Sequence, residues 1–276
     1  MAEQFPARLH VLMARDAPYA VVVRRGPSKK VAVIGWDRSS DEFLVGQWMN
    51  GRIYERRCDL SPDGKHLIYF AMNGHWDSET QGSWTGISRA PYLKALTLWP
   101  KGDCWLGGGM FLSNSSYWLN GGCSNVPLRD DSGLKCSTEY PWPVRYGSEC
   151  TSVYYPRLIR DGWSELPHKR EAKWNTFMLF EKRINEEWTI NKIAHETLPQ
   201  QKGQGCYFDE HVLQNGRTGV VIECPTWEWA EVDGQRLVWA ESGKLYSGQL
   251  DANGLCHVKV LYDFNALNFE QLEAPY

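Results

Sequence analysis

An all-β fold is predicted, and three observations predict it. Aromatic residues make up 13% of the 276 residues, with 14 Trp and 13 Tyr, and such side chains suit pleated, half-buried surfaces better than helices. Apolar residues come in short runs, and Gly, Pro, Asn and Asp stand between them. Extended stretches of helical periodicity are hard to place. With 42% hydrophobic residues the chain can bury a large core, which excludes disorder as a description of the whole.

The elements follow in order. Residues 9–14, 19–23, 31–36, 43–48, 52–54 and 67–71 read as successive strands, parted by Gly26-Pro27-Ser28, Asn50-Gly51 and Pro62-Asp63-Gly64. Asn-Gly is a strong hairpin signal because both residues tolerate positive φ. The pattern resumes at 95–99, Trp105, 110–112, 153–159, 176–180, 188–193, 220–222, 236–240, 244–246 and 257–262. The best helical candidate, 181–194, has Trp188 and Ile190 alternating with polar residues, and reads equally well as a strand pair turning at Asn185-Glu186. From 113 to 150 Asn, Ser, Gly, Asp and Pro prevail. This stretch is expected to be a long loop excursion within a single domain spanning 1–276.

The chain also repeats itself. Phe43-Leu44-Val45, Gly51-Arg52-Ile53-Tyr54 and Asp63-Gly64 can be laid on Arg236-Leu237-Val238, Gly243-Lys244-Leu245-Tyr246 and Asn253-Gly254. Tyr54 and Tyr246 are then four steps of about 48 residues apart, within the range of propeller blades. The expected architecture is an irregular β-propeller of about five blades, five or six. In such a fold each small sheet buries both faces against its neighbours, and indole rings fill the wedge between them. Closure would place the strand at 9–14 in the sheet that contains 257–262.

The stretch Asp59-Leu60-Ser61-Pro62-Asp63-Gly64-Lys65-His66-Leu67-Ile68-Tyr69-Phe70 resembles the WD40-like SPDG blade motif of TolB-type and related bacterial β-propellers. Residues 250–255 form a second, weaker copy. The resemblance implies an Asp-Gly turn that feeds an apolar strand beside a central channel; it speaks to architecture and carries over no activity. The chain is also similar to a group of bacterial proteins that share its stretches at 24–29, 47–57 and 263–270.

The formal charge of −3 gives no global positive field toward nucleic acid or anionic lipid. Residues 1–8 lack a secretory leader pattern, and no run of about 18 apolar residues occurs, so a cytoplasmic protein is expected. Eight cysteines without a CxxC pair are then expected to be reduced core residues, with Cys123, Cys136 and Cys150 the ones to pair if the protein were exported.

Motifs for chemistry are sparse, and neither cofactor nor metal is expected. RRGPSKK at 24–30 offers glycine, lysine and serine, but a phosphate loop needs more glycines and a following helix, whereas strand residues follow at Val31. LGGGMF at 106–111 fits close strand packing better than a nucleotide cradle. Within YFDEH, Asp209 and His211 are the one local acid–base candidate, because strand residues two apart share a face. Positive charge gathers in two hairpins, at Arg24, Arg25, Lys29 and Lys30 and at Arg52, Arg56 and Arg57, near Trp48 and Tyr54. Side by side these would grip carboxylate or phosphate; the alternative is a solvated edge. Trp118, Tyr140, Trp142 and Tyr146 in the long loop either mark a recognition surface or fold back to cap an apolar gap.

The expectation is therefore a non-catalytic binding module for another protein, such as an immunity or accessory protein. A hydrolase acting on a glycan or peptide at the channel mouth is the first alternative, and a nucleic-acid binder through the basic hairpins the second.

Overall fold

The computed structural model describes residues 5–26, 29–122, 126–140, 142, 146, 147, 149–167, 175–197 and 205–276. The strands form five sheets, antiparallel throughout except for one pair. The first sheet takes β1 (Arg8–Met13), β2 (Tyr19–Arg25), β3 (Lys30–Asp37) and β4 (Glu42–Asn50) in that order. In the second, β5 (Arg52–Ile53) and β6 (Asp59–Leu60) both pair with β7 (His66–Met72), which leads to β8 (Ser83–Arg89) and β9 (Ala95–Pro100). The third joins β10 (Gly109–Phe111) and β11 (Ser116–Leu119). The chain then returns to the edge of the second sheet as β12 (Arg129–Asp130) and to the third as β13 (Lys135–Ser137), parallel to β11.

After one α-helix, α1 (Thr151–Arg160), a fourth sheet runs β14 (Ser164–Leu166), β15 (Asn175–Arg183), β16 (Trp188–Thr197), β17 (Tyr207–Asn215) and β18 (Val221–Cys224). The fifth runs β19 (Trp229–Asp233), β20 (Arg236–Glu241), β21 (Lys244–Asp251) and β22 (Gly254–Asp263). The turn at Asn185 is as the sequence indicates: its side-chain oxygen accepts from the N–H groups of Glu187 (3.0 Å) and Trp188 (2.9 Å), so 181–194 is a hairpin and not a helix.

The chain divides into two compact units. One gathers His10–Arg157 with Leu267–Tyr276, the other Ala7–Leu9 with Leu158–Ala266. In the first, period-2 alternation explains the uninterrupted apolar run of β7. Leu67, Tyr69 and Ala71 face Val21, Val23, Val31 and Val33 of the first sheet, while Ile68 faces Phe111, Tyr117 and Leu119 of the third. The third sheet repeats the arrangement, since Met110 and Trp118 turn the other way onto Val153 of α1. In the second unit Trp227, Trp239 and Tyr246 stack in series at 4.6 and 5.5 Å, and the buried Trp188 indole donates to Asp251 O at 2.8 Å.

Several expectations are corrected. Asn50-Gly51 closes no hairpin: β4 before it pairs with β3 and β5 after it with β7, and Gly51, at φ +152°, passes the chain from one sheet to the next. Residues 153–159 are helical, although valine and tyrosine disfavour helix. The segment is enclosed, with Val153, Tyr154, Tyr155 and Leu158 all buried and the Arg157 guanidinium reaching Cys58 O, Glu55 O and His10 Nε2, so tertiary packing overrides propensity. Closure does not pair the strand at 9–14 with that at 257–262: β1 pairs with β2, because the short link to Tyr19 closes a local hairpin (Ala14 N–H to Tyr19 O, 2.9 Å), and β22 pairs with β21. Cysteine 136 is disulfide-bonded, not reduced; it sits half-exposed on a short strand in a turn-rich region, where a small packed core cannot hold the backbone by itself. Cys123 and His168 lie outside the described residues. Cys58, Cys150 and Cys224 are buried free thiols, and burial pushes Cys58 up to about 12.

The stretch 113–150 is not bare loop, since it carries β11, β12 and β13 between its turns. Among the described residues no helix is long and apolar enough to cross a membrane.

Candidate functional site

Only the first basic stretch is a hairpin, since Arg52 lies on β5 and Arg56 and Arg57 on a short 3-10 turn, and the two stretches divide into interior and surface. Arg24 is buried, lies 5.2 Å from the Trp48 ring centre and donates to Gly26 O and Leu267 O. Arg56 is buried 4.4 Å from the Tyr154 ring centre. Arg57 is 1% exposed. Its guanidinium donates to the carbonyls of Cys104 (2.8 Å) and Leu106, to Glu149 Oε2 (2.9 Å) and to Cys150 Sγ (3.2 Å), and lies over the rings of Tyr54 and Phe70. Arg25 pairs with Glu55 at 2.7 Å. Lys29, Lys30 and Arg52 remain at the surface, with Lys30 over Phe269 and Arg52 over Tyr54.

Gly108 packs against this same arginine's backbone, and Gly107 against the Phe70 ring. Gly108 has φ +76°, and a Cβ there would fall 1.9 Å from Arg57 O. The run is close packing, as its sequence context indicates.

Of the long-loop aromatics, Trp118 is buried and Tyr140 meets it edge-on at 5.0 Å; Tyr140 and Trp142 cover the cluster of Met110, Trp118 and Val153. Tyr146 packs edge-on against Tyr155 at 5.6 Å. Tyr140 and Trp142 thus cap an apolar cluster to which Trp118 belongs, and Tyr146 folds back onto α1.

Asp209 and His211 do share a face of β17, the buried one. Opposite them Lys192 comes in from β16, 1% exposed, with Nζ 2.9 Å from His211 Nε2 and 3.6 Å from Asp209 Oδ2. His211 Nδ1 lies 3.0 Å from Trp227 O. A carbonyl only accepts, so Nδ1 carries the proton, and an ammonium only donates, so Nε2 presents its lone pair to Lys192. That lone pair is already engaged, which removes His211 as a free base. The triad is an internal polar network whose ammonium also lies 4.8 Å from the Trp163 ring centre. Among the described residues no group of three or more His, Cys, Asp and Glu is placed to hold a metal ion.

The Asp-Gly turn borders an open groove of about 690 Å³ lined by Tyr19, Asp63, Gly64, Lys65, His66, Arg89 and Ala90. Asp63 Oδ1 accepts from Ser61 Oγ (2.6 Å) and Lys65 N–H (3.1 Å), and Ser61 Oγ accepts from His66 N–H (2.9 Å). Gly64, at φ +75°, brings the turn against Tyr19. Burial raises the Asp63 carboxyl, but the Ser61 hydroxyl and Lys65 outweigh it and hold it below its ordinary value. Burial also pushes Tyr19 up to about 12.

Burial lowers His66 from its ordinary value of 6.5, with Arg89 and Lys65 adding to the effect against Asp63. A base whose folded-state pKa is depressed binds more protons when unfolded, so stability is present above 6.5 and is lost as pH falls below it. Urea titrations at pH 7.5 and 5.5 are expected to show a smaller pH dependence in His66→Gln than in the wild type. An identical pH dependence would exclude the effect.

Sequence reasoning passed over Trp76 and read Trp105 as part of the strand pattern, whereas both stand on loops that push them outward. Trp76 is 52% and Trp105 62% exposed. They sit on the β7–β8 and β9–β10 connections, which are locked together by Ser83 Oγ to Asp103 O (2.6 Å) and Lys101 N–H to Ser83 O (2.9 Å). The Trp76 ring lies against Gly82, where a Cβ would come within 2.4 Å of it. Trp105 is set by its N–H on Asp103 Oδ1 (2.8 Å) and by Arg57, which holds the carbonyls on either side of it. The signal was available: Trp76 stands among Asn, Gly, Asp and Ser, and Trp105 between Gly102-Asp103 and the glycines from 107, rather than in a strand run. No family model matches this chain, and no curated protein matches it.

Proposed function

We propose that the five sheets are the blades of an irregular β-propeller of about five blades, and that the protein is a non-catalytic binding module for another protein, of the immunity or accessory kind. Successive small sheets of mostly consecutive strands, with the second sheet covered on both faces, support the propeller reading. The observation that carries the binding reading is the pair of exposed indoles on two mutually locked loops. Large aromatics held rigidly at a surface lose little entropy on docking and recur as binding hot spots. Arg52 lies close in the fold, since it pairs with Met72 at the end of the strand that leads into the Trp76 loop.

The test compares pull-downs from native lysate by the wild-type chain and by W76A/W105A. A stoichiometric protein is expected with the wild type and a loss of about 2 kcal/mol or more of its binding in the double variant, with circular dichroism unchanged. If the wild type retains no stoichiometric protein, or both chains retain it equally, the reading fails.

A further inference from the structure

Residues 267–276 form neither strand nor helix, yet the first unit grips them along their length. Arg24 donates to Leu267 O at 3.3 Å. The Phe269 ring lies 5.9 Å from that of Trp48 and 5.4 Å from Lys30 Nζ. Gln47 reads the backbone: its Oε1 accepts from the N–H groups of Leu93 (2.8 Å) and Lys94 (2.9 Å), which fixes the amide so that Nε2 points at Leu272 O (2.9 Å). Tyr276 is read by both ends of its side chain. Its hydroxyl donates to Lys94 O (2.6 Å) and accepts from Arg89 N–H (3.1 Å), while Arg89 and Lys94 lie over the ring and Tyr92 meets its edge.

The segment is extended in the manner of a bound peptide. Leu272, Ala274 and Tyr276 are half-buried, while Glu273 and Pro275 between them are exposed; this period-2 pattern is that of a strand lying on a surface. Pro275 restricts Ala274 to extended conformations and needs no backbone donor. Glu270 and Glu273 give the segment negative charge, and Arg24, Lys30, Arg89 and Lys94 surround its path. No strand pairing holds it among the described residues, and each hydrogen bond above uses a side chain of the segment or of its seat. Arg89 also lines the open groove of 690 Å³, so the seat continues into accessible space.

We infer that the first unit carries a peptide-binding seat for acidic, extended segments of the pattern Leu-x-Ala-x-Tyr, which residues 272–276 occupy in cis. A segment of the same pattern on another protein competes for it. The inference goes beyond the binding surface at Trp76 and Trp105 and stands independently of it.

The test adds a fluorescein-labelled peptide of residues 267–276 to the full-length wild type and to the full-length variant L272S/Y276A, whose own segment is loosened. Fluorescence anisotropy is expected to show saturable micromolar binding to the variant, at least tenfold tighter than to the wild type. Replacing the peptide's final tyrosine with alanine is expected to weaken it at least tenfold, and W76A/W105A to leave it unchanged. Absence of saturable binding to the folded variant, or equal binding to both proteins, would overturn the inference. Should the variant fail to fold, hydrogen exchange in the wild type gives a second reading. Saturating peptide is expected to speed exchange at 270–276 at least tenfold, and unchanged exchange overturns the proposal.

Discussion

Alanine at position 57 is expected to lower the free energy of unfolding by about 3–5 kcal/mol. The wild-type guanidinium is fully enclosed and answers two carbonyls, a carboxylate and a thiol at once. Removing it strands the carbonyls of Cys104 and Leu106, at roughly 1–3 kcal/mol for each buried acceptor left without a donor, and leaves Glu149 without its cation. Lysine restores the charge but not the fork, so Arg57→Lys is expected to recover only part of the loss. Because the same carbonyls flank Trp105, faster hydrogen exchange at 102–108 should accompany the loss of stability. Urea unfolding is the measurement, and a change below about 1 kcal/mol would contradict the structural role assigned to this arginine.

Lys192→Met is expected to cost a similar amount, about 3–5 kcal/mol, for a different reason. Asp209 is buried on the face of β17 opposite Lys192, and without the ammonium its charge is left in the interior with less compensation. His211 Nε2 also loses its donor. In K192M/D209N the charge goes with the cation, so the double variant should be more stable than the sum of the single losses implies, by at least about 1 kcal/mol. Strict additivity in the cycle would show that the two groups do not act as a pair.

Much of the strand layout was legible because it rests on local chemistry. Asn185 accepts two N–H groups of its own turn, and the Asp63 and Ser61 side chains accept from Lys65 and His66 N–H, so the signal and most of its cause share one short stretch. The helix at Thr151–Arg160 was hidden because its cause is distant: Arg157 reaches Cys58 O and His10. Pro156 disfavours strand and helix interior alike, so no local signal pointed to the helix. The basic cluster misled for the same reason. Arg57 and Arg52 look alike in sequence, and only the fold distinguishes a buried crosslink from a surface cation. Lys192 gave no sign of standing between Asp209 and His211, since that meeting depends on the register of two long strands.

The division of the chain has a consequence for the order of events during synthesis. Ala7 N–H binds Asn265 Oδ1, 258 positions on, and Leu9 N–H binds Glu228 Oε2. Gln47 waits 225 positions for Leu272. A nascent polypeptide stalled before residue 228 therefore holds an early segment whose Ala7 and Leu9 amides lack their acceptors and a completed sheet whose Gln47 Nε2 lacks its carbonyl. Such long sequence separations slow assembly, and they leave polar edges open to chaperones or to neighbouring chains until translation has passed the final sheet.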